Sequence, residues 1–180
     1  VGGHGSHDRD ADDSQDLRLC VDGTYWIFRY ETGMQVKEER TMKRYINTAL
    51  LYAIFAMAGG VFYREFTKFN GFTGKTTLSV VHTHYFLLGV VFFLLLLVLE
   101  KNFSFTGAKT GRALAAYHIG LNLTAVMLVV RGIVQVLAPT LSSGMNAAIS
   151  GVAGIGHILL GVSMVVLLVQ IKRSVLLFES

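Results

Sequence analysis

The sequence predicts an all-α protein, a four-transmembrane-helix up-down bundle with both termini cytoplasmic. Three observations carry this prediction. Four apolar stretches each approach or exceed the ~20 residues that a helix needs to cross the hydrocarbon core. The chain is 52% hydrophobic and only 16% charged, whereas a soluble domain carries about 25% charge to cover its surface. The charge is also unevenly placed. Residues 1–43 hold nine acids and six Lys or Arg, a net −3, while residues 44–180 hold three acids and ten bases, a net +7.

The first span is residues 45–63, with Tyr45 and Tyr63 suited to the two interfaces. The second covers about 78–99, the third about 113–138 and the fourth about 148–171. The runs do not alternate apolar and polar residues as barrel strands do, so helices are the structure that satisfies their backbone in lipid. Asn70-Gly71 and Thr73-Gly74 mark turns after the first span, and Pro139 with Ser142-Ser143-Gly144 marks one after the third. Every connection is short, which favours antiparallel neighbours. Nine bases flank the side that holds both termini: Lys37, Arg40, Lys43, Arg44, Lys101, Lys109, Arg112, Lys172 and Arg173. Three, Arg64, Lys68 and Lys75, flank the other side. Basic residues stay in the cytoplasm, so the termini of this multi-pass protein are expected there.

Residues 1–41 are a separate region. Their start is acidic and poor in apolar side chains, and Met42 with Lys43-Arg44 makes a natural beginning for the first span. The expectation is a disordered or mis-called extension ahead of a membrane domain over 42–180. Cys20 is the only cysteine, which excludes an internal disulfide or a thiolate cluster. No Lys/Arg face with interleaved aromatics supports nucleic-acid binding.

The candidate site residues are the polar groups that enter hydrocarbon, where they are costly and usually face the bundle interior. His84 in the second span and His157 in the fourth lie at similar depth near the external side, with Arg131 of the third span. His118 lies deeper toward the cytoplasm. His82 and His84 cannot share a face, because two residues turn a helix by ~200°, and His82 is expected at the interface. Ser150, Gly154, His157 and Gly161 form one small-residue stripe, leaving room beside His157. Ala115, His118, Asn122 and Ala125 form another, and Arg131 is expected to snorkel or to pair with Glu65. Intramembrane imidazoles ligate haem, hold copper or zinc, relay protons or bond helices together. The set His84, His157, His118 and Arg131 is therefore read as cofactor-binding, with the three histidines as metal ligands. Haem b leads, and copper or zinc are the alternatives.

From Met42 onward the stretches MKRYINTALLYAIF, GGVFYREFTKFNGFTGKTTLSVVHTHYFLLG, FLLLLVLEKNF and YHIGLNLTAVMLVVRG resemble a small family of bacterial membrane proteins known as domain of unknown function 2871. The resemblance implies a four-helix inner-membrane protein and brings no established reaction. HTHYFLLG is also distantly similar to helix starts in haem-copper oxidase-like membrane proteins, over fewer than ten residues.

Three functional classes are consistent with these residues. The first is a small b-type haem or other redox-cofactor protein working with a quinone-like donor and a membrane redox partner. The second is a metal-ion or proton channel or transporter subunit, formed as an oligomer. The third is a non-catalytic assembly subunit whose histidines only bond helices. Glu65 and Glu100 both sit at span ends, so no carboxylate is expected deep in the bilayer. The lipid bilayer is the one partner common to every reading.

Overall fold

The computed structural model describes the backbone of residues 9–137 and 140–178 and the side chains of residues 35–137 and 140–177. The chain divides into two units, Val1–Arg40 and Thr41–Ser180. The expectation for residues 1–41 falls largely outside the described side chains, and the membrane bundle lies in the second unit. The helices are α1 (Arg9–Phe69), α2 (Leu78–Phe103), α3 (Ala108–Leu137) and α4 (Ser143–Phe178). All four contain segments long and apolar enough to cross a membrane, beginning at Gln35 in α1.

The observed helices overrun the apolar stretches, because apolarity marks the hydrocarbon while a helix continues until its backbone is forced to turn. After α1 that point is Gly71, whose φ of 58° is a left-handed conformation open to glycine without a Cβ clash. The amide of Asn70 closes the last turn by donating to the Phe66 carbonyl at 2.8 Å. α2 ends at Ser104, which adopts φ 43°. There the Glu100 carboxylate accepts from the Thr106 backbone N–H at 3.0 Å and its hydroxyl at 2.8 Å. Glu100 is only 4% exposed. It stands at a span end as expected, but it acts as a buried clasp for the α2–α3 turn.

Side chains also fix the start of α2. Thr76 donates its hydroxyl to the Gly132 carbonyl at 3.0 Å and Thr77 donates to that of Leu128 at 2.8 Å. The Thr77 backbone N–H, an orphan at a helix start, donates to the Gln135 side chain at 2.8 Å. These bonds tie the beginning of α2 to the end of α3.

Neighbouring helices run antiparallel. Going up α1, Tyr45 meets Phe93, Tyr52 meets Gly89 and Gly59 meets Val81, so partner numbers fall as α1 numbers rise. α3 meets α4 in the same way, at Gly120–Leu160 and Thr124–Gly156. The distal end of the bundle bears residues 70–77 and 140–142, and the proximal end bears residues 104–107. α3 packs against α2 and α4, and α2 reaches α4 chiefly through its proximal half, Phe92–Phe103.

The distribution of side chains is that of a protein in lipid. Leu50, Ile54, Met57, Val61, Ile155, Ile158 and Val165 are all more than half exposed at the surface. The interior adds tyrosines, threonines, alanines and glycines to its leucines and phenylalanines, among them Tyr52, Tyr117, Thr110 and Thr124 beside Leu121 and Phe93. Hydrophobicity does not drive helices together in a bilayer, so close backbone approach and internal hydrogen bonds must. Gly132, Gly120 and Gly156 provide the approach: a Cβ on any of them would lie within 3.0 Å of Leu78, Leu160 or Thr124. The protein is an all-α four-helix bundle embedded in a lipid bilayer.

Candidate functional site

A polar chain crosses the middle of the bundle and joins three helices. It begins with Tyr85 of α2, whose hydroxyl donates to Asn122 Oδ1 of α3 at 3.1 Å. The Asn122 amide nitrogen donates to the Tyr52 hydroxyl oxygen of α1 at 3.2 Å and to the His118 carbonyl at 2.8 Å. Tyr52 and His118 Nδ1 are joined at 2.6 Å. The carbonyl of His118 fixes the donor and acceptor roles. A carbonyl only accepts, so the Asn122 NH₂ group must face His118 and Tyr52. The Tyr52 oxygen already accepts from Asn122, leaving its single hydrogen for His118 Nδ1. That nitrogen is then the acceptor, and the neutral ring carries its proton on Nε2. All bonds of the chain point one way, from Tyr85 to His118.

The helices position these groups by ring stacking and by one tight contact. His118 lies nearly parallel to Phe93, with centroids 5.0 Å apart, and against Tyr52 at 5.7 Å. Tyr52 also stacks on Tyr85 at 5.7 Å and is 2% exposed. It can sit so deep because α2 opens into a π-helical segment, Tyr85–Val91, with Gly89 beneath the Tyr52 ring. A Cβ at Gly89 would lie 2.5 Å from Tyr52 Cβ. Tyr117 braces the same segment by donating to the Leu88 carbonyl at 2.7 Å. Such wide turns within α-helices frequently mark functional sites.

A cavity opens at each end of the chain. On the distal side, about 440 Å³ is lined mainly by apolar groups of α1, α2 and α3, with Tyr85 and Asn122 as its polar wall. On the proximal side, about 160 Å³ is lined by Arg44, Thr48, Tyr45, Thr106, Phe93 and His118. This smaller cavity is the more polar in character, and its wall continues through hydrogen bonds. Tyr45 and Thr106 hydroxyls meet at 2.6 Å, and Thr106 reaches Glu100.

His84 and His157 form a second, separate pair. Their ring centroids lie 6.2 Å apart with planes at 89°. His82 points elsewhere, across Gly60 of α1, as the ~200° offset requires. The three histidines read as metal ligands therefore do not form one cluster: His118 belongs to the tyrosine chain. Among the described residues no group of three or more His, Cys, Asp or Glu is placed to hold a metal.

Arg131 bridges α3 to α4 by donating to Asn146 Oδ1 at 2.6 Å and to the Ser150 hydroxyl. It does not pair with Glu65, whose carboxylate lies 3.9 Å from Arg64. On the α4 stripe, Gly154 and Gly161 face open space, while Gly156 makes the close contact with α3. Residue spacing on α3 places His118 with Asn122, but nothing in the sequence marks Tyr52 or Tyr85 as their partners. Set among apolar residues or at the head of an apolar run, these tyrosines read as ordinary interior or interface aromatics.

A family model described as protein of unknown function (DUF2871) matches residues 42–174. No curated protein and no solved structure matches the chain.

Proposed function

The chain belongs to the DUF2871 family, and from that premise we propose that it is a transport-class membrane protein, a proton channel or transporter subunit. Its conducting element is the chain Tyr85–Asn122–Tyr52–His118. The observation that carries this reading is that every hydrogen bond in the chain points from the distal cavity toward the proximal one. An aligned chain moves a net proton by a series of short hops. His118 releases its Nε2 proton toward the proximal cavity while Nδ1 takes the Tyr52 proton. Tyr52 is resupplied by the Asn122 NH₂ group as Asn122 Oδ1 takes the Tyr85 proton, and Tyr85 is resupplied from the distal cavity. These hops leave Asn122 as its imidic acid and His118 as the Nδ1–H tautomer, so return of both to their starting tautomers resets the chain and is the slowest link.

The basic residues add a direction. If the nine-to-three bias sets the orientation, the proximal end is cytoplasmic and the aligned chain points inward. The proximal cavity is lined by the hydroxyls of Tyr45, Thr48 and Thr106 beside Arg44, and Thr106 links it to the Glu100 carboxylate behind it. Proteoliposomes containing a pH-sensitive dye, energised by a potassium gradient with valinomycin, test the reading. Wild-type protein is expected to acidify or alkalinise the lumen at least tenfold faster than His118→Ala. Wild-type flux equal to that of protein-free liposomes would refute it and leave the chain as helix-to-helix bonding.

A further inference from the structure

We propose that His84 and His157 are the two axial ligands of a haem seated between the distal halves of α2 and α4. The proposal stands apart from the proton reading, since none of its residues belongs to the tyrosine chain.

Both rings have a defined tautomer. His84 Nδ1 lies 2.9 Å from the Val80 carbonyl and His157 Nδ1 lies 2.8 Å from the Ala153 carbonyl, each four residues back on its own helix. A carbonyl accepts only, so both Nδ1 atoms carry hydrogen and both Nε2 atoms keep a lone pair. Among the described residues neither Nε2 has a hydrogen-bond donor. An acceptor left bare in hydrocarbon is costly, and the neighbouring rings, 6.2 Å apart, supply no donor to either Nε2. A metal ion between them satisfies both, and a carbonyl-bonded Nδ1–H is the usual outer support of a metal-bound imidazole.

The spacing agrees. Two imidazole nitrogens each ~2 Å from one metal ion, on opposite sides of it, place their ring centroids ~6 Å apart. The observed separation is 6.2 Å. Two protein ligands alone suit a haem better than a bare ion, because the porphyrin supplies four equatorial nitrogens. Structural zinc takes four protein ligands and catalytic zinc three, and no such set is present among the described residues.

The surroundings have the right form. α2 reaches α4 chiefly through Phe92–Phe103, while the segment carrying His84 packs on α3. The distal halves of α2 and α4 are thus set apart, each packed on α3, with the partly exposed His84 beside the exposed His157 across the space between them. Gly154 and Gly161, three residues before and four after His157, share its face, and a Cβ on either would meet nothing within 4 Å. These two positions offer a planar macrocycle a strip of α4 backbone beside His157. Toward the distal end, Arg131 binds only the neutral partners Asn146 and Ser150. Its guanidinium supplies the cation that porphyrin propionates would meet on their way to water.

The test is an absorption spectrum of the full chain expressed with ample haem, followed by a haemin titration of purified protein in detergent. The expected result is one haem per chain, with a Soret band and the split visible bands of a six-coordinate low-spin iron on reduction. His84→Ala and His157→Ala should each lose the low-spin bands, and His82→Ala should keep them. His157→Met guards against misfolding, since methionine remains an axial ligand and should retain a low-spin spectrum at a shifted potential. Protein that takes up no haem in either procedure would overturn the proposal. So would a Soret band unchanged in both alanine variants, or stoichiometric copper or zinc in its place.

Discussion

Gly89→Ala places one methyl group where the structure has no room. The added Cβ would lie 2.5 Å from Tyr52 Cβ and 2.6 Å from its Cγ. Cβ is fixed to the backbone, so no rotamer change of Tyr52 relieves the closer of the two contacts. Tyr52 is 2% exposed and wedged against Tyr85, Phe93 and His118, so relief must come from α1 and α2 moving apart. Overpacking of this kind typically costs about 1–3 kcal/mol. Replacing glycine by alanine in a helix returns roughly 0.5–1 kcal/mol. The expected net loss is therefore up to about 2.5 kcal/mol, toward the upper end because the clash is with a backbone-anchored atom, and it should carry over to the Tyr52–His118 bond. Unfolding of the purified protein in mixed micelles, titrated with a denaturing detergent, measures the change. A Gly89→Ala variant as stable as wild type, with unchanged function, would refute the claim that this contact sets the position of Tyr52.

Glu100→Ala removes the acceptor for both the Thr106 N–H and hydroxyl. It should destabilise the bundle by about 1–3 kcal/mol in the same titration, the usual cost of stranding buried polar groups. Glu100→Gln, which keeps an acceptor oxygen, should lose less. Reporter fusions at residues 71, 105, 143 and 180 should place 71 and 143 outside and 105 and 180 in the cytoplasm, following the basic bias. External activity at 105 or 180 would reverse the orientation and with it the inward direction of the chain.

The fold was legible because membranes impose few solutions. Four apolar runs of sufficient length can only be helices, and the short links at Asn70-Gly71 and Ser104 leave little choice of neighbour. The helix ends were harder to read, because capping by Glu100 and Gln135 depends on residues from another turn or another helix. Two parts of the site could be read without knowing how the helices pack. The divergence of His82 and His84 follows from helical geometry, and the similar depth of His84 and His157 follows from counting inward. The chain through Tyr52 could not be read this way. Its members stand on three helices, and what brings them together is Gly89 in a π-helical segment that residue periodicity does not reveal. Arg131 shows the same limit: its charge marked it as important, but Asn146 and Ser150 are ordinary residues until α3 and α4 pack.

If protons pass along the hydrogen bonds between Tyr85 and His118, Tyr52 is the link that can be cut with least disturbance. Tyr52→Phe deletes one oxygen, keeps the ring stacked on Tyr85 and His118, and leaves both cavities their shape. Dye-reported proton flux in energised proteoliposomes should fall at least tenfold in Tyr52→Phe relative to wild type, at equal reconstituted protein. Flux in Tyr52→Phe equal to that of an active wild type would contradict conduction through this chain, because the path would then run elsewhere.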